Sequence, residues 1–276
     1  MRTILHLSDL HFGALDEQLL PPLLESIDRL QPDLIAISGD FTQRARRTQF
    51  RRARAFLARL HGPTLVVPGN HDIPLFDLAV RFLDPLASYR RFISNDLAPV
   101  FADSEIIVVG LNSARSMLFR HGNGSLNETQ VAAATARLDL APPGVVKMVV
   151  THHPFDLPKG HGEHHLIGRA NMAMGWLAAA GADVFLSGHL HVSHVGRTAE
   201  RYKIAGHSAL VVQAGTISRR GRGELNSFNL LRIQPSTIAL ERYSWDEAAR
   251  GFTSAWAGTF HRAADGWHES GVEETR

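Results

Sequence analysis

Thr3-Ile4-Leu5-His6-Leu7-Ser8-Asp9-Leu10-His11 is the stretch from which the rest of the chain is read. A short apolar run ends in Asp-x-His. On extended backbone the side chains at positions i and i+2 point the same way. Asp9 and His11 therefore converge, and a carboxylate beside an imidazole offers a corner for a divalent metal. Asp-x-His alone is weakly specific. Four further clusters close other apolar runs: Gly39-Asp40 after 34–38, Gly69-Asn70-His71-Asp72 after 65–68, His152-His153-Pro154 after 147–150, and Gly188-His189-Leu190-His191 after 183–187.

Composition narrows the chemistry. A chain of 276 residues with 44% hydrophobic and 20% charged residues can bury a substantial core as one large domain or two small ones. The absence of cysteine excludes disulfides and thiolate metal sites, so any ion must sit on histidine, carboxylate, amide or water. A formal charge of +2 carries no nucleic-acid inference, despite a pI near 9.3. No run approaches the ~18 apolar residues of a membrane span. The first residues lack the pattern of a signal peptide, so a cytoplasmic setting is expected.

Continuous apolar runs alternate with amphipathic stretches. Helices are predicted over 15–30, with its true start near Pro21-Pro22, and over 47–60, 128–138 and 170–180. The short runs between them read as strands covered on both faces. Residues 73–99 break this rhythm and read as a cap-like insertion beside the site. Residues 202–205, 209–214, 227–233 and 237–242 read as an antiparallel meander. The division expected is one domain over 1–243 and a C-terminal tail over 244–276, which shows no clear periodicity.

In α/β sheets, loops at the carboxyl ends of the strands converge on the ligand site. Asp9, His11, Asp40 and His191 can then make one nitrogen/oxygen site, and Asp40, Asn70, His152 and His189 a second. Asp40 serves both if its carboxylate bridges, which would place two ions ~3.5–4 Å apart, the separation used for in-line displacement at phosphorus. Glycines 39, 69 and 188 are expected to let the backbone turn so that the following ligands face the ions. His71 is surplus to the ligand count and can protonate a leaving alkoxide. Asp72 beside it is expected to fix the imidazole tautomer.

Asp9-x-His11, Gly39-Asp40, Gly69-Asn70-His71-Asp72, His152-His153-Pro154 and Gly188-His189-x-His191 resemble the complete motif set of the calcineurin-like metallophosphoesterases, from about residue 3 to 192. The resemblance implies an α/β fold, a four-layer αββα sandwich with a dinuclear site at the strand ends. It implies Mn, Fe or Zn as the ions and metal-hydroxide attack on phosphorus. It makes His71 the catalytic histidine and His152 the ligand of the His-His pair, with His153 as fallback. Length and spacing look most like bacterial class III cyclic-nucleotide phosphodiesterases and glycerophosphodiesterases.

The expected activity is hydrolysis of a small phosphodiester. The rivals are a phosphomonoesterase, a UDP-sugar pyrophosphohydrolase of lipid A synthesis, a nuclease, and a non-catalytic scaffold. A nuclease should carry a broad basic groove, and only local arginine clusters are present, so nucleic acid is not an expected partner. A scaffold should have lost ligands, and none is missing. Candidate substrate contacts are Asn112, His153, Arg219 and Arg222. The basic turn 219–223, the face of Arg47, Arg51 and Arg54, and the loop histidines 161, 164 and 165 are weaker candidates. His6, among apolar neighbours, reads as a core histidine. A homodimer is left open.

Overall fold

The computed structural model describes residues 1–116, 124–204 and 206–274. Part of the Gly/Asn-rich loop read over 120–127, Ala205 of the strand read over 202–205, and the last two residues lie outside the described residues.

The first sheet has seven strands: β1 (Arg2–Leu7), β2 (Leu34–Ile37), β3 (Thr64–Val66), and four later strands, β10 (Ser227–Gln234), β11 (Thr237–Asp246), β12 (Gly251–Ala263) and β13 (Gly266–Glu274). Its order is β13-β12-β11-β10-β1-β2-β3, with β1, β2 and β3 parallel. The second sheet is built from β4 (Val100–Ala102), β5 (Ile106–Gly110), β6 (Val146–Val150), β7 (Val184–Ser187), β8 (His194–Arg197) and β9 (Leu210–Gln213). Its order is β4-β5-β6-β7-β9-β8, with β5, β6, β7 and β9 parallel.

The strands are apolar on both sides because both sides are covered. Ile4, Leu34, Ala36, Val108, Met148, Val150, Leu186 and Val212 interleave between the sheets. The alternate residues of the first sheet, Leu5, Leu7, Ile35 and Ile37, meet helices α1 (Leu20–Leu30) and α2 (Arg47–Leu57). Those of the second, Val109, Val149 and Phe185, meet α5 (Glu128–Leu138) and α6 (Ala170–Ala179). The result is the four-layer αββα sandwich that the resemblance implied. Pro21-Pro22 opens α1, where the missing N–H groups have no helical partner to lose. Asn127 and Gln130 close a reciprocal cap on α5 (2.9 and 3.2 Å).

Three differences from the sequence reading have physical causes. Tyr202, read as the first residue of a strand over 202–205, instead ends the short helix α7 (Thr198–Tyr202), and β8 precedes it. Residues 210–213 run parallel to β7 in the second sheet, so the meander begins only at β10. The segment read as a tail supplies β12 and β13. Register shifts at Arg242/Tyr243 and at Thr259/Phe260 interrupt the in-out alternation that would have marked these strands. Trp267 on β13 is buried, and its Nε1 donates to Asp183 Oδ1 (2.9 Å) at the foot of β7.

The 73–99 stretch folds as α3 (Leu78–Leu83) and α4 (Ala87–Phe92). Tyr89 of α4 is buried against Phe41 (ring centroids 6.0 Å), and Phe92 stacks on Phe50 (6.1 Å). Around α3, Phe76, Leu78, Phe82 and Leu83 are exposed. No helix among the described residues is long and apolar enough to cross a membrane.

Candidate metal centre

The five clusters meet at the carboxyl ends of β1, β2, β3, β6 and β7. Backbone bonds knit the loops together: Asp9 N–H donates to Gly39 O (3.1 Å), His11 N–H to Asp40 O (2.9 Å), and Gly188 N–H to His152 O (3.0 Å). Asp9, His11, Asp40, His189 and His191 hold left-handed φ values of 54, 44, 53, 74 and 58°. Non-glycine residues adopt this region at a cost, and such strain gathers at functional sites.

Gly39 at φ 91° is a turn glycine, as expected. At Gly69 and Gly188 the need is space. A Cβ on Gly69 would fall 2.1 Å from Asp40 Oδ1, and one on Gly188 1.8 Å from Ser8 Oγ and 2.5 Å from Asp9 Oδ2.

Two donor sets face each other. In the first, His11 Nε2 lies 3.0 Å from His191 Nε2, 3.4 Å from Asp9 Oδ1 and 3.6 Å from Asp40 Oδ2; His191 Nε2 is 3.1 Å from Asp9 Oδ1. In the second, Asn70 Oδ1 lies 3.0 Å from His152 Nε2 and 3.1 Å from His189 Nδ1, and His152 Nε2 is 3.4 Å from Asp40 Oδ2. Donors held ~2.0–2.2 Å from one ion are spaced by roughly 3.0–3.5 Å, so both sets fit an ion. Asp9 Oδ1 is buried without a hydrogen-bond donor among the described residues, as a ligand oxygen would be.

The remaining atoms orient these donors. Asp9 Oδ2 accepts from Ser8 Oγ (2.7 Å) and His189 N–H (2.8 Å), and Asp40 Oδ1 accepts from His71 N–H (2.8 Å). His152 Nδ1–H donates to Ser38 O (2.8 Å) and His191 Nδ1–H to Arg220 O (2.9 Å), leaving each Nε2 lone pair for the centre. Burial alone would raise the Asp9 carboxyl, yet His191 and His11 hold it well below the usual carboxylate range. Asp40 is likewise lowered, with His152 and His71 outweighing burial. Against burial, the Asp40 carboxylate pushes His152 up to about 9. Burial and the neighbouring His153 keep His189 well below its ordinary value.

His71 stays outside both donor sets. Its Nδ1–H donates to Gln43 O (2.9 Å) and its Nε2 receives Arg220 Nη1–H (3.0 Å). Asp72 does not touch the imidazole, contrary to the sequence expectation. Its carboxylate accepts from Gly69 N–H (3.0 Å), Phe41 N–H (3.2 Å) and Thr42 N–H (2.9 Å), and so ties the Asp40 loop to the Asn70-His71 turn. Burial first, then the nearby Asp40 charge, raise its carboxyl to about 7.

The candidate substrate contacts separate. His153 is buried, its Nδ1 on Ser113 Oγ (2.8 Å) and its ring 4.6 Å from that of His189, close enough to His152 and His189 to share an ion with them. Asn112 spends its side-chain oxygen on Ala114 N–H (2.9 Å). Arg219 is 69% exposed and reaches only toward Asp16 (3.5 Å), and Arg222 is exposed. From that basic turn it is Arg220 that enters the centre. Arg47, Arg51 and Arg54 are exposed on α2. His165 approaches His189 (5.9 Å between rings), with His164 and His161 behind it. His6 is a core histidine, its Nε2 2.9 Å from Ser38 Oγ. Arg44, Arg81 and Arg115 line a cavity of about 170 Å³ beside His71 that the sequence did not disclose. A larger cavity of about 710 Å³, between Gly124 and Tyr202, is lined by no member of either donor set.

A fold of this kind with paired nitrogen/oxygen donor sets at the strand ends defines a metallophosphoesterase. The chain belongs to the calcineurin-like phosphoesterase family, whose model matches residues 2–193. It is similar to the glycerophosphodiester phosphodiesterase GpdQ of Enterobacter lignolyticus, 28% identical over 171 residues. That match covers 57% of this chain and 58% of the relative's length. The fold is shared with a dimetal phosphatase from Danio rerio (TM-score 0.65, 14% identity, 88% of this chain and 96% of that one). It is shared also with a purple acid phosphatase of yellow lupin seeds (TM-score 0.65, 11% identity, 94% and 53%).

Proposed function

We propose that the protein is a metal-dependent phosphodiesterase. The observation that carries the reading is the position of Asp40 Oδ2, 3.6 Å from His11 Nε2 and 3.4 Å from His152 Nε2, between the two donor sets. Asp9, His11, Asp40 and His191 would hold one ion, and Asp40, Asn70, His152 and His189 the other. Mn, Fe or Zn bound there would supply positive charge at the phosphoryl oxygens and an acidified water as nucleophile. A bridging position for the attacking hydroxide is part of this reading.

The chain's own residues do the rest. Asp9 and Asp40 stay ionised and keep their charge for the ions. His71 presents Nε2 to the cleft, since Nδ1 is committed to Gln43 O. A substrate anion entering between Arg220 and His71 takes over the Arg220 N–H and frees Nε2, which takes up a proton from solvent and passes it to the departing alkoxide. Similarity to a glycerophosphodiester phosphodiesterase supports a small diester over a monoester, and a cyclic nucleotide is one such diester. The setting we propose is cytoplasmic.

The test is turnover of bis(p-nitrophenyl) phosphate, cyclic AMP, p-nitrophenyl phosphate and a UDP-acyl sugar, with elemental analysis of the same preparation. Diester turnover exceeding monoester turnover, with about two ions per chain, is the expected result. A fully loaded preparation inert toward every ester would end the reading.

A further inference from the structure

The cavity of about 170 Å³ beside His71 is lined by Gln43, Arg44, Asn70, His71, Ile73, Leu75, Arg81 and Arg115. Three of these are arginines, and none of the described residues lining it is acidic. They come from three separate loops or helices, after β2, in α3 and after β5, so the concentration of charge belongs to the fold and not to one basic run. Arg81 is 4% exposed, its Nη1 on Pro74 O (3.0 Å). Arg115 is anchored by Ala114 O (3.2 Å) and by Gln130 Oε1. Burial first, and then the charge of Arg169, hold the Arg115 guanidinium below its usual range. The charge of a bound anion would offset both. Arg44 is exposed at the rim.

Asn70 and His71 belong to both the centre and the cavity wall. A group that His71 protonates as it leaves therefore departs along this wall. At roughly 30 Å³ per water, the volume holds about five or six water-sized groups. That leaves room for a phosphate and a short linker. Arginine forks match phosphate oxygens in pairs.

Resting on the phosphodiesterase reading, we propose that the preferred substrate carries a second phosphate on its leaving alcohol, held by Arg44, Arg81 and Arg115. The reaction then releases a phosphorylated short alcohol, and water supplies the oxygen that replaces it on the scissile phosphorus.

The test is binding, with turnover as its control. Manganese-loaded protein is titrated calorimetrically with propyl phosphate and with 1,3-propanediol bisphosphate. The bisphosphate should bind about 100-fold more tightly or better, as expected for two or more charge-assisted hydrogen bonds. Arg44→Gln and Arg115→Gln should each reduce that ratio about tenfold, and Arg44→Lys should retain more of it than Arg44→Gln. Arg44 is exposed, so its variants test the proposal even where Arg115→Gln fails to fold. Equal affinity of the two ligands for the wild-type protein overturns the proposal. Absence of bis(p-nitrophenyl) phosphate turnover in the same preparation overturns the parent reading instead, and the affinity ratio still judges the cavity.

Discussion

His71 shows how the bond made by one ring nitrogen decides what the other is free to do. Gln43 O takes Nδ1–H, so Nε2 alone faces the cleft. His71→Ala should lower kcat by about 10²–10⁴-fold while elemental analysis finds the ions still bound. Asp72 acts on the backbone, and Asp72→Ala would strand the amides of Phe41, Thr42 and Gly69. A loss of at least about 1–3 kcal/mol in urea unfolding is expected. His6 supplies a pH signal from the core beneath the cleft. Burial, only partly offset by Asp9, lowers it from 6.5 to about 3. Between those values the unfolded chain binds a proton that the folded chain refuses, so stability falls as pH drops below about 6.5. The slope from this one group approaches about 1.4 kcal/mol per pH unit. Denaturation of wild type and His6→Gln at pH 7 and pH 5 should show a shallower dependence in the variant.

Among the elements, those with undisturbed periodicity were legible before any coordinates. The spacing of Val131, Ala134 and Leu138 gives α5 its limits, and continuous apolar runs give β1, β2, β6 and β7. What escaped has identifiable causes. Two bulges, at Ala255 and at Ser270, flip the alternation along β12 and β13, and small residues such as Gly258 leave no apolar mark. Local composition does not say which sheet a strand joins, and β9 lies in a different sheet from β10 although both were read as one meander. Trp267→Ala tests whether the last strands belong to the body. A buried tryptophan bonded to Asp183 should cost about 3–5 kcal/mol, read as a lowered melting temperature of the whole chain rather than of a separate segment.

For the molecule as a whole, the candidate ligands were legible because parallel strands deliver their carboxyl ends to one place. Chemistry written at five such ends has to meet. The cationic surroundings were not, because nothing local distinguishes Arg220 from Arg219 or Arg222, or tells that Arg44, Arg81 and Arg115 share one wall. Those facts arise only when separate loops are brought together. Chelation should abolish hydrolysis, and added Mn²⁺ should restore it without refolding, which circular dichroism before and after would verify.

The donor sets also straddle the two layers of strands. Asp9, His11, Asp40 and Asn70 follow strands of the first sheet, whereas His152, His189 and His191 follow strands of the second. At the opposite end Trp267 and Arg262 reach across to Asp183. Ions would therefore act as a hasp on a hinged pair of leaves already pinned below. Saturation at 100 times the dissociation constant adds about 2.7 kcal/mol to the closed form. Hydrogen exchange should accordingly quicken on metal removal in the loops after β1, β2 and β7, while the amides around Asp183 keep their protection.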